Sequence, residues 1–294
     1  MDIRTIMVVG AGQMGSGIAQ VAAAAGVKVL LHDLSPESVT KGVAAITNHL
    51  ARSVESGKLS EERKTSILSC IEPSEYLEQA DQTDFIIEAI SENREQKASL
   101  FQKLDVICPP SVLFATNTSA LPITELAAVT GRSTQVIGMH FMNPVPVIPL
   151  VEVIRGLETS QETFEAVFGL AKKWGKTPVE VNDFPGFVSN RILMPMINEA
   201  VYAVYEGVAS VEAVDTVMKL GMRHPMGPLE LADFIGLDTC LSIMDILYEG
   251  FKDSKYRPCP LLRKYVKAGR LGRKSGRGFY AYNFEKNEKN SYTV

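Results

Sequence analysis

The chain has 294 residues, 46% of them hydrophobic and 22% charged, which suits two folded domains and excludes a disordered chain. A formal net charge of −4 provides no basic field for nucleic acid. The four cysteines, Cys70, Cys108, Cys240 and Cys259, have no C-x-x-C spacing, so they read as reduced thiols and no metal site is expected.

The start, "IRTIMVVGAG", has neither the charged and apolar pattern of a secretory leader nor an Arg- and Ser-rich transit segment. Residues 18–31, the most apolar stretch, are broken by Gln20, Gly26 and Lys28, too short a run for a membrane span. A cytoplasmic protein without membrane partners is expected. "TIMVVG" reads as a buried strand, "QMGSGIAQVAAAAG" as a helix closed by Gly26, and "VKVLLHD" as a second buried strand ending at Asp33. This is one βαβ unit in about 30 residues. Residues 36–70 then interrupt the alternation with two polar, amphipathic helices, a Gly57 turn and a Ser60 cap, which predicts a helical hairpin standing off the sheet.

Alternation resumes with strands "TDFIIEAI" and "SVLFATNTS" around the helix "REQKASLFQKLDVI". Strands "QVIGMHF" and "LVEVI" follow, joined by the Pro-rich "MNPVPVIP", then a helix over 160–174 and the strand "TPVEV". Past Asp183 the periodicity is helical almost to "RKSGRGFYAY", with a first helix starting near Pro185. The expected fold is α/β: a Rossmann-type, mostly parallel sheet with an inserted helical hairpin, plus a mostly α-helical C-terminal domain. The expected bounds are 1–183 for the nucleotide-binding domain with its 36–70 arm, 184–284 for the helical domain and 285–294 for a tail.

Gly10, Gly12 and Gly15 fit G-x-G-x-x-G between strand and helix. The first glycine allows a tight turn, the second lets a pyrophosphate approach the backbone, and the third lets helix lie close on strand. Amides at the helix N-terminus, around Gln13 and Met14, then face an anion. Asp33, 18 residues after Gly15, ends the second strand, where a carboxylate accepts from ribose hydroxyls and repels a 2′-phosphate. NAD is the expected cofactor; the alternative is a plain glycine turn with Asp33 as a cap.

His140 lies at the C-terminal end of its strand, the side on which open α/β sheets bind ligands. Glu152 lies in the next, otherwise apolar strand, where an ionisable group is costly unless paired. A Glu holding a His ring is a general acid/base pair. The alternative is a satisfied core histidine and a solvent-facing Glu. Asn117 and Ser119 in "NTS" point over the same crevice; the alternative is a helix N-cap preceding "LPITELA", and Thr118 or Ser119 could serve both ends. Asn190 shares a helical stripe with Met194, Ile197 and Val201, as either a buried structural amide or a substrate contact.

Five ordered motifs, "NTSAL", "HFMNPVPVIPLVEVI", "DFPGFVSNRILMPMINEA", "HPMGPLELADFIGLDT" and "GRKSGRGFYAY", resemble the L-3-hydroxyacyl-CoA dehydrogenases from about residue 3 to 283. The short bacterial 3-hydroxybutyryl-CoA dehydrogenases within that family are the most similar group. The resemblance implies an NAD-dependent enzyme interconverting (S)-3-hydroxyacyl-CoA, such as 3-hydroxybutyryl-CoA, and the 3-oxoacyl-CoA. It implies His140 as general base oriented by Glu152, with Ser119 and Asn190 positioning substrate oxygens. Glu92, Lys97 and Asn117 match positions contacting the nicotinamide half of NAD, and Lys274 matches another cofactor contact.

It further implies a homodimer through the C-terminal helices and a CoA thioester partner. Met142 departs from the Phe many members carry. The positions of the family's CoA-contacting Ser and Lys fall on His49 and Ser56, leaving Arg52 and Lys58 as nearby substitutes or as an ordinary solvated face. On residues alone two rivals stand: a dehydrogenase of a free hydroxy acid or sugar acid, and a non-enzymatic dinucleotide-binding protein. The hairpin argues against the first, and the joint presence of His140 and Glu152 against the second.

Overall fold

The computed structural model describes residues 3–282, and the expected tail at 285–294 lies outside them. Two compact units part between Phe184 and Pro185. The first is built on an eight-stranded sheet in the order β3-β2-β1-β4-β5-β6-β7-β8, all neighbours parallel except β6 and β7. Its strands and helices run β1 (Thr5–Val9), α1 (Gln13–Ala24), β2 (Lys28–His32), α2 (Pro36–Glu55), α3 (Glu61–Leu68), β3 (Ile71–Ser74), β4 (Phe85–Glu88), α4 (Arg94–Ile107), β5 (Leu113–Thr116), α5 (Ile123–Ala128), β6 (Val136–Phe141), β7 (Leu150–Arg155), α6 (Gln161–Lys173) and β8 (Thr177–Asn182).

The central strands are nearly continuous apolar runs because helices cover both faces of a parallel sheet. Ile6, Val8, Val29, Leu31, Phe85, Ile87, Ala115 and Ile137 join one core with Ile18 and Ala22 of α1. The chain order reverses between β1 and β4, so the crevice beyond their C-terminal ends is the topological switch point of an open α/β sheet. β3, "IEPS", is a strand that apolar periodicity does not reveal. It is four residues long, lies at the sheet edge and contains Pro73, which an edge position tolerates.

The 36–70 hairpin does not stand clear of the sheet, as its polarity suggested. Val39, Gly42, Ile46 and Leu50 form a buried stripe on α2, and Ile67 is buried on α3. A side chain on Gly42 would meet Ala11 O and Ser16 Oγ at 2.7 Å, so that glycine lets α2 lie against the glycine turn. Gln20 of α1 bonds His49 of α2 at 2.9 Å. Beyond Leu50 the hairpin end is mostly exposed, with Gly57 at φ 71° making the turn and Ser60 accepting from the Arg63 N–H.

The second unit is helical: α7 (Ser189–Tyr205), α8 (Val211–Thr216), α9 (Pro228–Ile235), α10 (Leu237–Phe251) and α11 (Pro260–Lys267). α7 begins four residues after Pro185, because Gly186 (φ 73°) and Phe187 (φ 52°) both take left-handed backbone incompatible with a helix. Met194, Ile197, Val201, Leu229, Leu237, Met244 and Leu262 build its core. Two buried aspartates knit the C-terminal motifs together. Asp215 caps α9 by accepting from Leu229 N and Glu230 N and takes the Tyr280 hydroxyl. Asp233 accepts from Phe279 N, Tyr280 N and the Tyr282 hydroxyl. Among the described residues, no helix is long and apolar enough to cross a membrane.

Candidate active site

The glycine turn closes β1 onto α1. Gly10 has φ 106°, and a side chain there would meet Ala89 O at 2.5 Å; one on Gly15 would meet Gly10 O at 1.8 Å. At Gly12 an added Cβ would touch nothing within 4 Å. Gly12 is also the N-cap of α1 and has no side chain to satisfy the first amides, at Gln13 and Met14. Open space over uncapped helix amides fits a pyrophosphate.

Asp33 follows β2 beside this turn. Its Oδ2 accepts from Ala11 N at 2.9 Å and its Oδ1 from Ser35 N at 3.0 Å. A carboxylate has about four acceptor positions, so these two bonds orient it and leave capacity for ribose hydroxyls. The residues present therefore fit a dinucleotide.

His140 and Glu152 are directly opposite in the antiparallel β6/β7 register. Opposed residues in such a ladder share a face with their Cβ atoms about 5 Å apart. The side chains meet with Nδ1 and Oε2 2.7 Å apart, and both residues are buried. The short Pro-rich connection makes this possible, since it returns the chain within eight residues (142–149) and reverses strand direction. Lys176 holds that connection from below: its ammonium donates to the Val145 carbonyl and, at 2.8 Å, to that of Ile148. Burial there lowers the Lys176 pKa.

Asn117 follows β5, and its Oδ1 accepts from Phe141 N at 2.9 Å, fixing the backbone next to His140. Its own N–H donates to Glu88 O. Thr118 does not cap the following helix. That task falls to Asp183, which accepts from Ile123 N and Thr124 N, while Thr118 Oγ1 accepts from Ala120 N and Leu121 N within the turn. Ser119 is half-buried on that turn.

Glu92 reaches the same turn. Its Oε1 accepts from the Thr118 hydroxyl, from Ser119 N at 2.9 Å and from Ala120 N at 3.2 Å. Lys97, 1% exposed, lies 3.3 Å from Glu92 Oε2 and 2.5 Å from Glu88 Oε1. Glu88 is fully buried at the end of β4, and burial pushes its pKa up against the opposing pull of Lys97. The sequence reading missed Glu88. The available signal was Lys97 itself, which shares the buried stripe of α4 with Phe101 and Leu104 and so requires a buried partner.

In the second unit Asn190 is buried in the first turn of α7 with Met194, Ile197 and Val201 also buried. Lys274 is exposed and pairs with Asp238 at 2.6 Å. Arg52 and Lys58 are exposed on the hairpin, and His49 is held below its ordinary pKa by desolvation and then by the Arg52 charge.

Residues 5–184 match the family model of the 3-hydroxyacyl-CoA dehydrogenase NAD binding domain, and residues 186–282 that of the 3-hydroxyacyl-CoA dehydrogenase C-terminal domain. The chain is 65% identical over 282 residues to a probable 3-hydroxybutyryl-CoA dehydrogenase of Bacillus subtilis (strain 168), covering 96% of this chain and 98% of the relative. A 3-hydroxybutyryl-CoA dehydrogenase of Bradyrhizobium diazoefficiens is 55% identical, with 95% and 96% covered. Among solved structures, the (S)-3-hydroxybutyryl-CoA dehydrogenase of Ralstonia eutropha superposes with a TM-score of 0.94 at 51% identity, covering 96% of this chain and all of that one.

Proposed function

The chain belongs to the 3-hydroxyacyl-CoA dehydrogenase family and is an NAD-dependent dehydrogenase, and from that premise we propose that it interconverts (S)-3-hydroxybutyryl-CoA and acetoacetyl-CoA. The observation that carries the reading is the buried 2.7 Å contact between His140 Nδ1 and Glu152 Oε2. With Nδ1–H donated to the carboxylate, the basic lone pair is on Nε2, the nitrogen across the ring. Nε2 takes the proton of the substrate 3-hydroxyl, and Glu152 stabilises the imidazolium that results. NAD, when bound, supplies the acceptor for the hydride that leaves C3. In the reverse direction His140 returns its proton to the forming alkoxide.

Ser119 and Asn190 hold the substrate oxygens, which fixes C3 for transfer and lowers the entropic part of the barrier. Asn117 keeps the backbone beside His140 in place through Phe141 N. Asp33 selects NAD over its 2′-phosphorylated form by charge. Arg52 and Lys58 on the exposed hairpin end meet the nucleotide of CoA. Exposed Ile192, Leu220, Met222 and Phe234 support a homodimer through the helical unit.

Initial rates with NADH and acetoacetyl-CoA beside the free acid acetoacetate test the substrate class. A strong preference for the thioester is expected. Equal efficiency on acetoacetate would overturn the reading in favour of a dehydrogenase of free oxo acids.

A further inference from the structure

We infer that Lys176 is a positioning residue for the acid/base pair: it holds the connection between β6 and β7 closed, and with it the end of the ladder on which His140 faces Glu152. The inference rests on the role proposed above for that pair, and Lys176 acts through the backbone of the connection.

The composition of the connection explains why it needs donors from elsewhere. Three of its eight residues, Pro144, Pro146 and Pro149, have no N–H. The turn satisfies the Pro144 carbonyl, which accepts from Val147 N and Ile148 N at 3.0 Å each. The carbonyls of Val145, Ile148 and Pro149 are met by the junction of α6 and β8. Lys176 Nζ donates to the first two, at 2.8 Å for Ile148, and Thr177 N donates to Pro149 O at 2.8 Å. A charged donor makes the stronger kind of hydrogen bond, and Lys176 is only 8% exposed.

The lysine is itself fixed. Gly175 (φ 73°) ends α6 in left-handed backbone, and Lys176 N returns to Ala171 O at 3.0 Å, the pattern of a Schellman cap. Trp174, two residues earlier, stacks on Phe141 with ring centroids 6.4 Å apart. The end of α6 therefore backs both the last residue of β6 and the connection that follows it.

These contacts bear on the pair because of its place in the ladder. Phe141 and Val151 are the last register pair before the connection, and His140 and Glu152 are the next. Strand ends fray most easily, so the loss of one register pair reaches the pair itself. The connection also packs on α1: a side chain added at Gly17 would meet Val145 Cβ at 2.8 Å. Without Lys176 two carbonyls would lose their donors, and the connection would open to water to regain them.

Lys176→Met keeps the length of the side chain and removes the donors. In the full-length, ligand-free protein, hydrogen exchange at Val147 and Ile148 is expected to rise about tenfold or more, the worth of one bond from a charged donor. Single-turnover NADH consumption with acetoacetyl-CoA should slow by roughly ten- to a hundredfold, while the thioester KM stays within about threefold, because a misplaced catalytic group loses rate rather than binding. In a Glu152→Gln background the same substitution should cost less than about threefold, since the pairing it protects is already broken.

Faster exchange with an unchanged rate would make Lys176 purely structural. A slower rate with unchanged exchange would mean that it acts on a ligand directly. A loss as large in Glu152→Gln as in the wild type would mean that it acts outside the pair. Each of these overturns the inference. Should Lys176→Met fail to fold, Lys176→Gln keeps a donor for one carbonyl and should show the same changes at smaller size; normal exchange and rate there would sink the idea. Glu152→Gln without any loss of rate would refute the proposed pair, and equal wild-type rates on acetoacetate would refute the substrate assignment, while the exchange results would stand in either case.

Discussion

Two buried acid–base pairs occupy the same sheet. His140–Glu152 spans the antiparallel ladder of β6 and β7, and Lys97–Glu88 joins the end of β4 to the helix that follows it. Both have contacts near 2.6 Å (2.7 and 2.5 Å) and all four side chains are at least nine-tenths buried. Their chemistry differs. An imidazole has a second nitrogen across the ring, so a proton can arrive at one and be compensated at the other. An ammonium has donors only, and the Lys97 ammonium is turned toward Glu88, Glu92 and the Ile90 carbonyl. Burial of such a pair draws attention to a site, and in the proposed mechanism only the imidazole passes a proton on.

The comparison breaks most visibly at His140. His140→Gln should lower turnover by roughly 10²- to 10⁴-fold, the usual worth of general acid–base catalysis, with NADH affinity nearly unchanged. Steady-state rates and NADH fluorescence titration check both halves.

At the other pair the large effect should be on stability. Lys97→Met leaves Glu88 buried and unpaired, a change worth about 3–5 kcal/mol. The loss should depend on pH in a definite direction. Burial already raises the Glu88 pKa, and Lys97 is the main opposing charge, so the variant holds its proton to higher pH than the unfolded chain, where Glu titrates near 4.5. The native state then binds more protons than the unfolded one. Its stability is full below that value and declines as pH rises through the folded pKa. Urea melts at pH 5 and pH 8 should show the decline, and adding Glu88→Gln should flatten it. A Lys97→Met variant equally stable at both pH values would remove the contrast between the pairs.

Smaller effects should come from the charges outside either pair. Asp33→Ala should narrow the preference for NADH over NADPH by about tenfold, since one charged hydrogen-bonding group is lost. Equal wild-type efficiency with both cofactors would cancel that assignment. Arg52→Ala and Lys58→Ala, both exposed, should raise the thioester KM by no more than a few-fold, because solvated charges contribute about 0–1 kcal/mol each. A change of tenfold or more would make the hairpin a tighter binding surface than its exposure suggests.

The same physics explains what the sequence discloses. The α/β alternation is legible because central strands such as "TIMVV" and "FIIE" are covered on both faces and read as unbroken apolar runs. That His140 and Glu152 can meet is legible because a short proline-rich link between strands leaves them antiparallel neighbours. Edge strand β3 is not legible, since four residues with one proline make no period. The docked face of α2 is hidden because its stripe, Val39, Gly42, Ile46 and Leu50, includes a glycine whose role is close approach rather than hydrophobicity. The start of α7 was displaced because nothing in "PGFV" announces a left-handed Phe187. Glu88 looks like the polar end of a strand, and only the contacts of Lys97 reveal it as the centre of a network.

The most direct test of the central claim, that His140 and Glu152 act as one unit, is a double-mutant cycle on turnover. His140→Gln, Glu152→Gln and the double variant would be compared at saturating NAD and thioester, with NADH binding measured alongside. Groups that act together are strongly non-additive, so the double variant should be barely slower than His140→Gln alone. Losses that multiply in full would mean Glu152 works independently of His140, and the paired mechanism would be wrong.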